Sequence, residues 1–79
     1  MRNMEYNYIS GFCDRLSELM SNAKMSAQKL GNIVCRERKT IYSWLNGNGI
    51  PNAVCLMKIC AYFNVSADWL LFGGNVYGK

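Results

Sequence analysis

The chain contains no histidine, a single proline and only five acidic residues among 79. Without histidine it lacks the side chain that titrates nearest neutrality, the commonest general base and the commonest metal ligand. Its four cysteines, at 13, 35, 55 and 60, lack the close pairing of a zinc site. We therefore expect no metal and no cofactor. Three of these cysteines fall where a helical pattern wants a small apolar residue, which reads as core packing, and in a reducing compartment a disulfide is not expected. Paired carboxylates and a glycine-rich phosphate loop are also missing, so catalysis is not expected. A globule of this length leaves little room for a pocket of roughly 300–1,000 Å³, so no small-molecule ligand is expected. No apolar run approaches the ~20 residues that span a bilayer. The N-terminus, MRNMEYNYIS, shows no apolar block followed by a small-residue cleavage site. The expectation is a cytoplasmic protein with no membrane segment.

With 51% hydrophobic and 18% charged residues, the chain is too apolar to stay disordered. It fits one domain that would bury roughly 60% of its unfolded surface. The net charge of +4 is not spread evenly. Between residues 24 and 47 stand Lys24, Lys29, Arg36, Arg38 and Lys39 against Glu37 alone. Outside that stretch Arg2, Arg15, Lys58 and Lys79 balance Glu5, Asp14, Glu18 and Asp68. Positive charge confined to one segment is the footprint of a surface that meets phosphates.

Helical spacing runs through the chain and strand patterning does not, which predicts an all-α fold of five helices. Ile9, Phe12, Cys13, Leu16, Leu19, Met20 and Ala23 recur every three or four residues, giving helix 1 over 9–22. Ser26 can cap a second helix from Ala27, with Ala27, Leu30, Ile33 and Val34 inward. Helix 3 starts near Glu37 or Arg38 and turns Ile41, Trp44 and Leu45 to one side. Gly47-Asn48-Gly49 stops it, and Ile50-Pro51 forces extended backbone before Asn52 caps helix 4. Val54, Leu56, Met57, Ile59, Cys60 and Phe63 wrap most of helix 4, Ala53–Phe63, so it is expected to be the most buried. Asn64 in a left-handed conformation ends it, and Ser66 caps helix 5, Ala67–Phe72, closed by Gly73-Gly74. Trp44, Trp69, Phe63 and the methionines read as core. The chain divides into an N-terminal arm (1–8), the helical domain (9–73) and a C-terminal tail (74–79).

In this order and spacing, the residues resemble the Xre-type, phage-repressor-like (lambda-repressor-like) helix-turn-helix family over about 12–73. The resemblance rests on Ser26 with Leu30 and Val34, Thr40-Ile41-x-x-Trp44, Gly47-x-x-x-Pro51, and the closing run Phe63-x-Val65-Ser66-x-Asp68-Trp69-Leu70-Leu71-Phe72-Gly73. It implies a compact five-helix DNA-binding domain whose helices 2 and 3 form the helix-turn-helix, with helix 3 in the major groove of double-stranded DNA. Carried over by position, Arg38, Lys39, Tyr42 and Ser43 would contact bases. Arg38 and Lys39 suit guanine O6 and N7, and Ser43 several base edges. Tyr42 suits a sugar or a thymine methyl, or serves only as a rim over Ile41. Ser26, Ala27, Gln28, Arg36, Thr40, Asn46 and Asn48 would hold the backbone.

The chain departs from the family pattern in three places. Ala27 stands where glutamine is usual, with Gln28 one position later. Cys35-Arg36 replaces glycine and an aliphatic residue at the turn, which predicts a looser turn with Arg36 facing the DNA backbone instead of the core. Gly31 replaces alanine and lets helices 2 and 3 approach. The family reading is a transcriptional regulator, a repressor on a palindromic operator, acting as a homodimer through helix 5 and the tail, with Leu71, Phe72, Val76 and Tyr77. Tyr6, Tyr8 and Tyr77, outside the helices, would be ordered by the partner subunit. The rival reading is a protein-interaction module of the same fold with little DNA affinity.

Overall fold

A computed structural model describes the backbone of residues 2–73 and the side chains of 11–73. Five helices follow one another: α1 (Arg2–Asn22), α2 (Ala27–Val34), α3 (Arg38–Leu45), α4 (Ala53–Phe63) and α5 (Ala67–Phe72). No strand occurs among the described residues, and none of their helices is long and apolar enough to cross a membrane.

Three helices begin on side-chain caps that satisfy an otherwise open amide. Ser26 Oγ accepts from the Lys29 amide at 3.1 Å. Asn52 Oδ1 accepts from Cys55 at 2.9 Å, and Ser66 Oγ from Trp69 at 3.0 Å. Three helices also end alike, on a left-handed residue that is not glycine: Lys24 (φ 54°), Cys35 (φ 62°) and Asn64 (φ 58°). After each, the next amide reaches back over the last turn: Met25 to Met20 O at 2.8 Å, Arg36 to Gly31 O at 2.8 Å and Val65 to Cys60 O at 3.0 Å. This six-to-one bond closes orphan carbonyls whatever the residue, at a steric cost that glycine avoids. α3 and α5 instead end on glycine, Gly47 at φ 81° and Gly73 at φ 91°.

Phe12, Leu16, Leu30, Ile41, Ile59 and Leu70 are sealed from solvent, and each such burial contributes about 1.5–3 kcal/mol. Met20, Ala27, Val34, Trp44 and Cys55 complete the core. α1 packs on α5 and α3, α2 on α3 and α4, and α4 on α5. One cation fastens the first and last helices. Arg15 Nε donates to Leu70 O at 2.9 Å and a terminal guanidinium nitrogen to Leu71 O at 2.9 Å, placing positive charge where α5's dipole ends negative. A Cβ at Gly11 would stand 2.7 Å from that guanidinium, so the glycine keeps the space open.

Four expectations change. α1 begins at Arg2, not at 9, because apolar spacing reports where a helix packs, whereas helical hydrogen bonding runs on through a stretch that holds no proline or glycine before Gly11. Ala23 lies beyond the end of α1 and is exposed. α4 buries only Cys55 and Ile59 fully. Val54, Met57 and Tyr62 are 59%, 68% and 51% exposed, so Met57 is not a core residue. α2 and α5 cover one side of α4, and an apolar helix is buried only where a neighbour exists to cover it. Finally, Trp69 is half-buried beside the sealed Leu70.

Candidate nucleic-acid interface

Ala27, Leu30, Gly31 and Val34 turn inward from α2, and Ile41 and Trp44 from α3. Between the two helices, Cys35 takes the left-handed position and the chain reverses over two linking hydrogen bonds to Gly31 O. The expected looser turn is therefore not found. A cysteine adopts the conformation that glycine would take, and the turn stays tight. A Cβ at Gly31 would fall 2.6 Å from Arg36 O, inside any van der Waals contact, so the close approach of α2 to the start of α3 requires the missing side chain.

At about 100° per residue, the burial of Ile41 and Trp44 sends Arg38, Tyr42, Asn46, Lys39 and Ser43 to the opposite arc. Arg38, Lys39, Tyr42 and Asn46 are exposed, Tyr42 by 50%, whereas Ser43 and Thr40 are half-buried. Ser43 is shielded by the loop after α3: Asn48 N donates to Ser43 O at 2.9 Å, and a Cβ at Gly49 would lie 4.0 Å from Ser43 Oγ. Tyr42 leans over a shallow cavity of about 260 Å³ that it shares with Ser17, Met20, Ser21, Met25, Ala27 and Leu45. Lys39 Nζ stands 3.8 Å from Glu37 Oε1, both side chains largely in water. Such an exposed pair contributes little and is screened by salt. The Arg38 side chain makes no hydrogen bond or ion pair among the described residues.

The starts of the two helices differ. Ser26 Oγ is engaged with the Lys29 amide, yet its hydroxyl proton and the first amides of α2 remain available to an anion. Ala27 is buried and offers its amide alone. Gln28 Nε2 is 3.4 Å from Asn32 Oδ1 on the same exposed face. At α3 the residue before the helix is Glu37, and its side chain makes no capping hydrogen bond. Arg36 is exposed at the turn but does not extend from it unengaged: its Nε donates to Cys55 Sγ at 3.4 Å, across to α4. Asn48 is exposed in the loop that follows.

The structure thus brings Arg38, Lys39, Tyr42 and Asn46 onto one outward arc, places Ser26 and Gln28 at the start of α2, and sets Ser43 and Arg36 partly against their own chain. The contact of Arg36 with Cys55 is the one that spacing gave no hint of, since 19 residues separate the partners. Of the expected dimer face, Leu71 and Phe72 are half-buried. Val76 and Tyr77, and the side chains of Tyr6 and Tyr8, lie outside the described residues. Among the described residues, the large exposed apolar side chains are instead Ile50, Val54, Met57 and Tyr62, with Tyr42. Neither family models, nor curated proteins, nor solved structures give a match to this chain.

Proposed function

We propose that the chain is a sequence-specific DNA-binding regulator, a repressor in character, with the lambda-repressor-like arrangement in which α2 and α3 form the helix-turn-helix. One observation carries the reading. Arg38 and Lys39 project with Tyr42 from the outward arc of a short helix that is fixed from behind by Ile41 and Trp44, within a segment that holds the chain's whole charge excess. A helix of this girth fits the major groove, where each base pair shows a distinct pattern of donors and acceptors. Arg38 and Lys39 would read bases, and the start of α2 with Asn46 and Asn48 would hold phosphates.

A single module buries only about 600–1,000 Å² on DNA, so a homodimer on a palindrome is proposed, with the two α3 helices about 34–36 Å apart. The contact we assign to it is the uncharged stripe Ile50, Val54 and Met57, each exposed and spaced to share one side of α4 and its approach. A two-fold axis would pack that stripe on itself without opposing charges. The same stripe favours the second reading, a protein-interaction module with another protein seated there. Gel shifts with fragments selected from genomic DNA separate the two. The regulator reading expects binding that Arg38→Ala with Lys39→Ala weakens by about 1–3 kcal/mol for each base that is no longer read, and affinity that falls with log salt at a slope of about 0.9 per phosphate neutralised. No DNA affinity at low salt would hand the function to the second reading.

A further inference from the structure

Two of the four thiols are set apart from the others by their company. Cys55 is 2% exposed at the start of α4, with Sγ 3.8 Å from Val34 O. That oxygen belongs to the peptide that joins Val34 to Cys35, so chain geometry alone puts Cys55 Sγ within about 7 Å of Cys35 Cα. With about 3 Å more from that sulfur to its own Cα, the two Cα atoms are at most about 10 Å apart, against the roughly 4.4–6.8 Å that a disulfide links, so closure draws the turn toward α4. Cys35 is exposed, and its Sγ lies 3.9 Å from Lys58 Nζ. Lys58 follows Cys55 by three residues on α4, so the Cys35 thiol reaches a side chain of the helix that carries Cys55. Arg36 Nε stands 3.4 Å from the Cys55 sulfur. Each sulfur therefore has a cationic neighbour, beside the backbone hydrogen bonds that close the turn. The other two thiols lie elsewhere: Cys13 is half-buried on α1, and burial pushes the Cys60 thiol up, away from its nucleophilic form.

We propose that Cys35 and Cys55 form a reversible redox pair in which a hydroperoxide oxidises the surface Cys35 and the buried Cys55 resolves it into a disulfide, stapling the turn between α2 and α3 to α4. In the first step the Cys35 sulfur attacks the hydroperoxide. A sulfur–oxygen bond forms, the oxygen–oxygen bond breaks, and the thiol proton leaves with the alcohol, or with water when the oxidant is hydrogen peroxide. In the second step the Cys55 sulfur attacks that of the Cys35 sulfenic acid, expelling water that carries the Cys55 proton. Two thiols lose two electrons and two protons, and the peroxide is reduced. Disulfides of this transient kind are the ones that reducing compartments tolerate. Closure takes the Cys55 sulfur from Arg36 and releases that guanidinium at the turn. The thiol chemistry stands independently of the DNA-binding reading.

The test uses the reduced full chain with one equivalent of hydrogen peroxide, digested with trypsin without reductant. Peptides 30–36 and 40–58 are expected to be joined, with loss of two hydrogens, and dithiothreitol is expected to separate them. Cys35→Ser is expected to abolish the link, and the paired Cys13→Ser and Cys60→Ser changes to leave it intact. In Cys55→Ser, checked for helical circular dichroism, dimedone is expected to trap Cys35, whereas in the wild type the adduct stays scarce. Because Cys35 is exposed, its variant keeps the test decisive even where Cys55→Ser does not fold. Joining of Cys35 to Cys13, to Cys60 or to a second chain overturns the proposal. So does a wild-type Cys35 that stays unreacted or accumulates dimedone as fast as the Cys55 variant.

Discussion

Arg15 and Arg38 are the same side chain on two helices with opposite surroundings. Arg15 is half-buried, and its guanidinium is spent on Leu70 O and Leu71 O at 2.9 Å each. Arg38 is exposed and makes no such bond among the described residues. The first holds the chain's two ends together. The second does nothing for the fold, on a helix whose inner side is fully committed to it. A cation that stabilises its own chain has its charge answered locally, whereas one left unanswered beside Lys39 gives the surface a field that reaches about a Debye length into solvent.

The comparison breaks most visibly at the seam. Arg15→Met is expected to lower unfolding free energy by about 2–4 kcal/mol, since two charge-assisted hydrogen bonds go and two part-buried carbonyls are left open. Urea unfolding checks it, and a change below about 0.5 kcal/mol, the ordinary level of a surface substitution, would mean the seam holds without the cation. Arg38→Ala is expected to show the reverse profile. Its unfolding midpoint should stay put, while affinity for a selected DNA site drops by about 1–3 kcal/mol in gel shifts; an unfolding midpoint that moves instead would give Arg38 a structural role. The subtler test concerns Arg36, intermediate between the two because its Nε reaches Cys55 Sγ. Arg36→Ala is expected to cost about 0.5–1.5 kcal/mol in stability, as a modest hydrogen bond does. It should also reduce the salt slope of DNA binding by no more than the ~0.9 of one phosphate. Smallest of all, Lys24→Gly relieves the strain of a left-handed lysine at φ 54°. It is expected to raise stability by about 0.5–1 kcal/mol in the same urea titration.

Much of this architecture was legible in the sequence because local chemistry decides it. Ser26, Asn52 and Ser66 accept the amides their spacing suggests, and Asn64 and Gly73 take the left-handed positions that end α4 and α5. The all-helical composition and the inward sides of α2 and α3 follow from the 3.6-residue period. Whatever depended on a distant neighbour was not legible. The exposure of Val54 and Met57 depends on which side of α4 other helices cover. Arg15 reads as one more charge on α1 until α5 arrives 55 residues later. Of the candidate site, the outward arc was legible, but the shielding of Ser43 by the Gly47–Gly49 loop and the engagement of Arg36 with a thiol were not. Cys35 in a left-handed turn runs against residue preference, and the backbone bonds to Gly31 O overrule that preference.

Gly31 makes the tilt of α3 a matter of one absent carbon. With the oxygen of Arg36 standing where a methyl group would go, every residue larger than glycine acts as a wedge that lifts the front of α3 and rotates Arg38 with it. No side chain is intermediate in size between a hydrogen atom and a methyl, so the aim of the outward arc can change at this position only by a jump. Finer adjustment has to come from the far end of the helix, where the loop of Gly47, Asn48 and Gly49 is exposed.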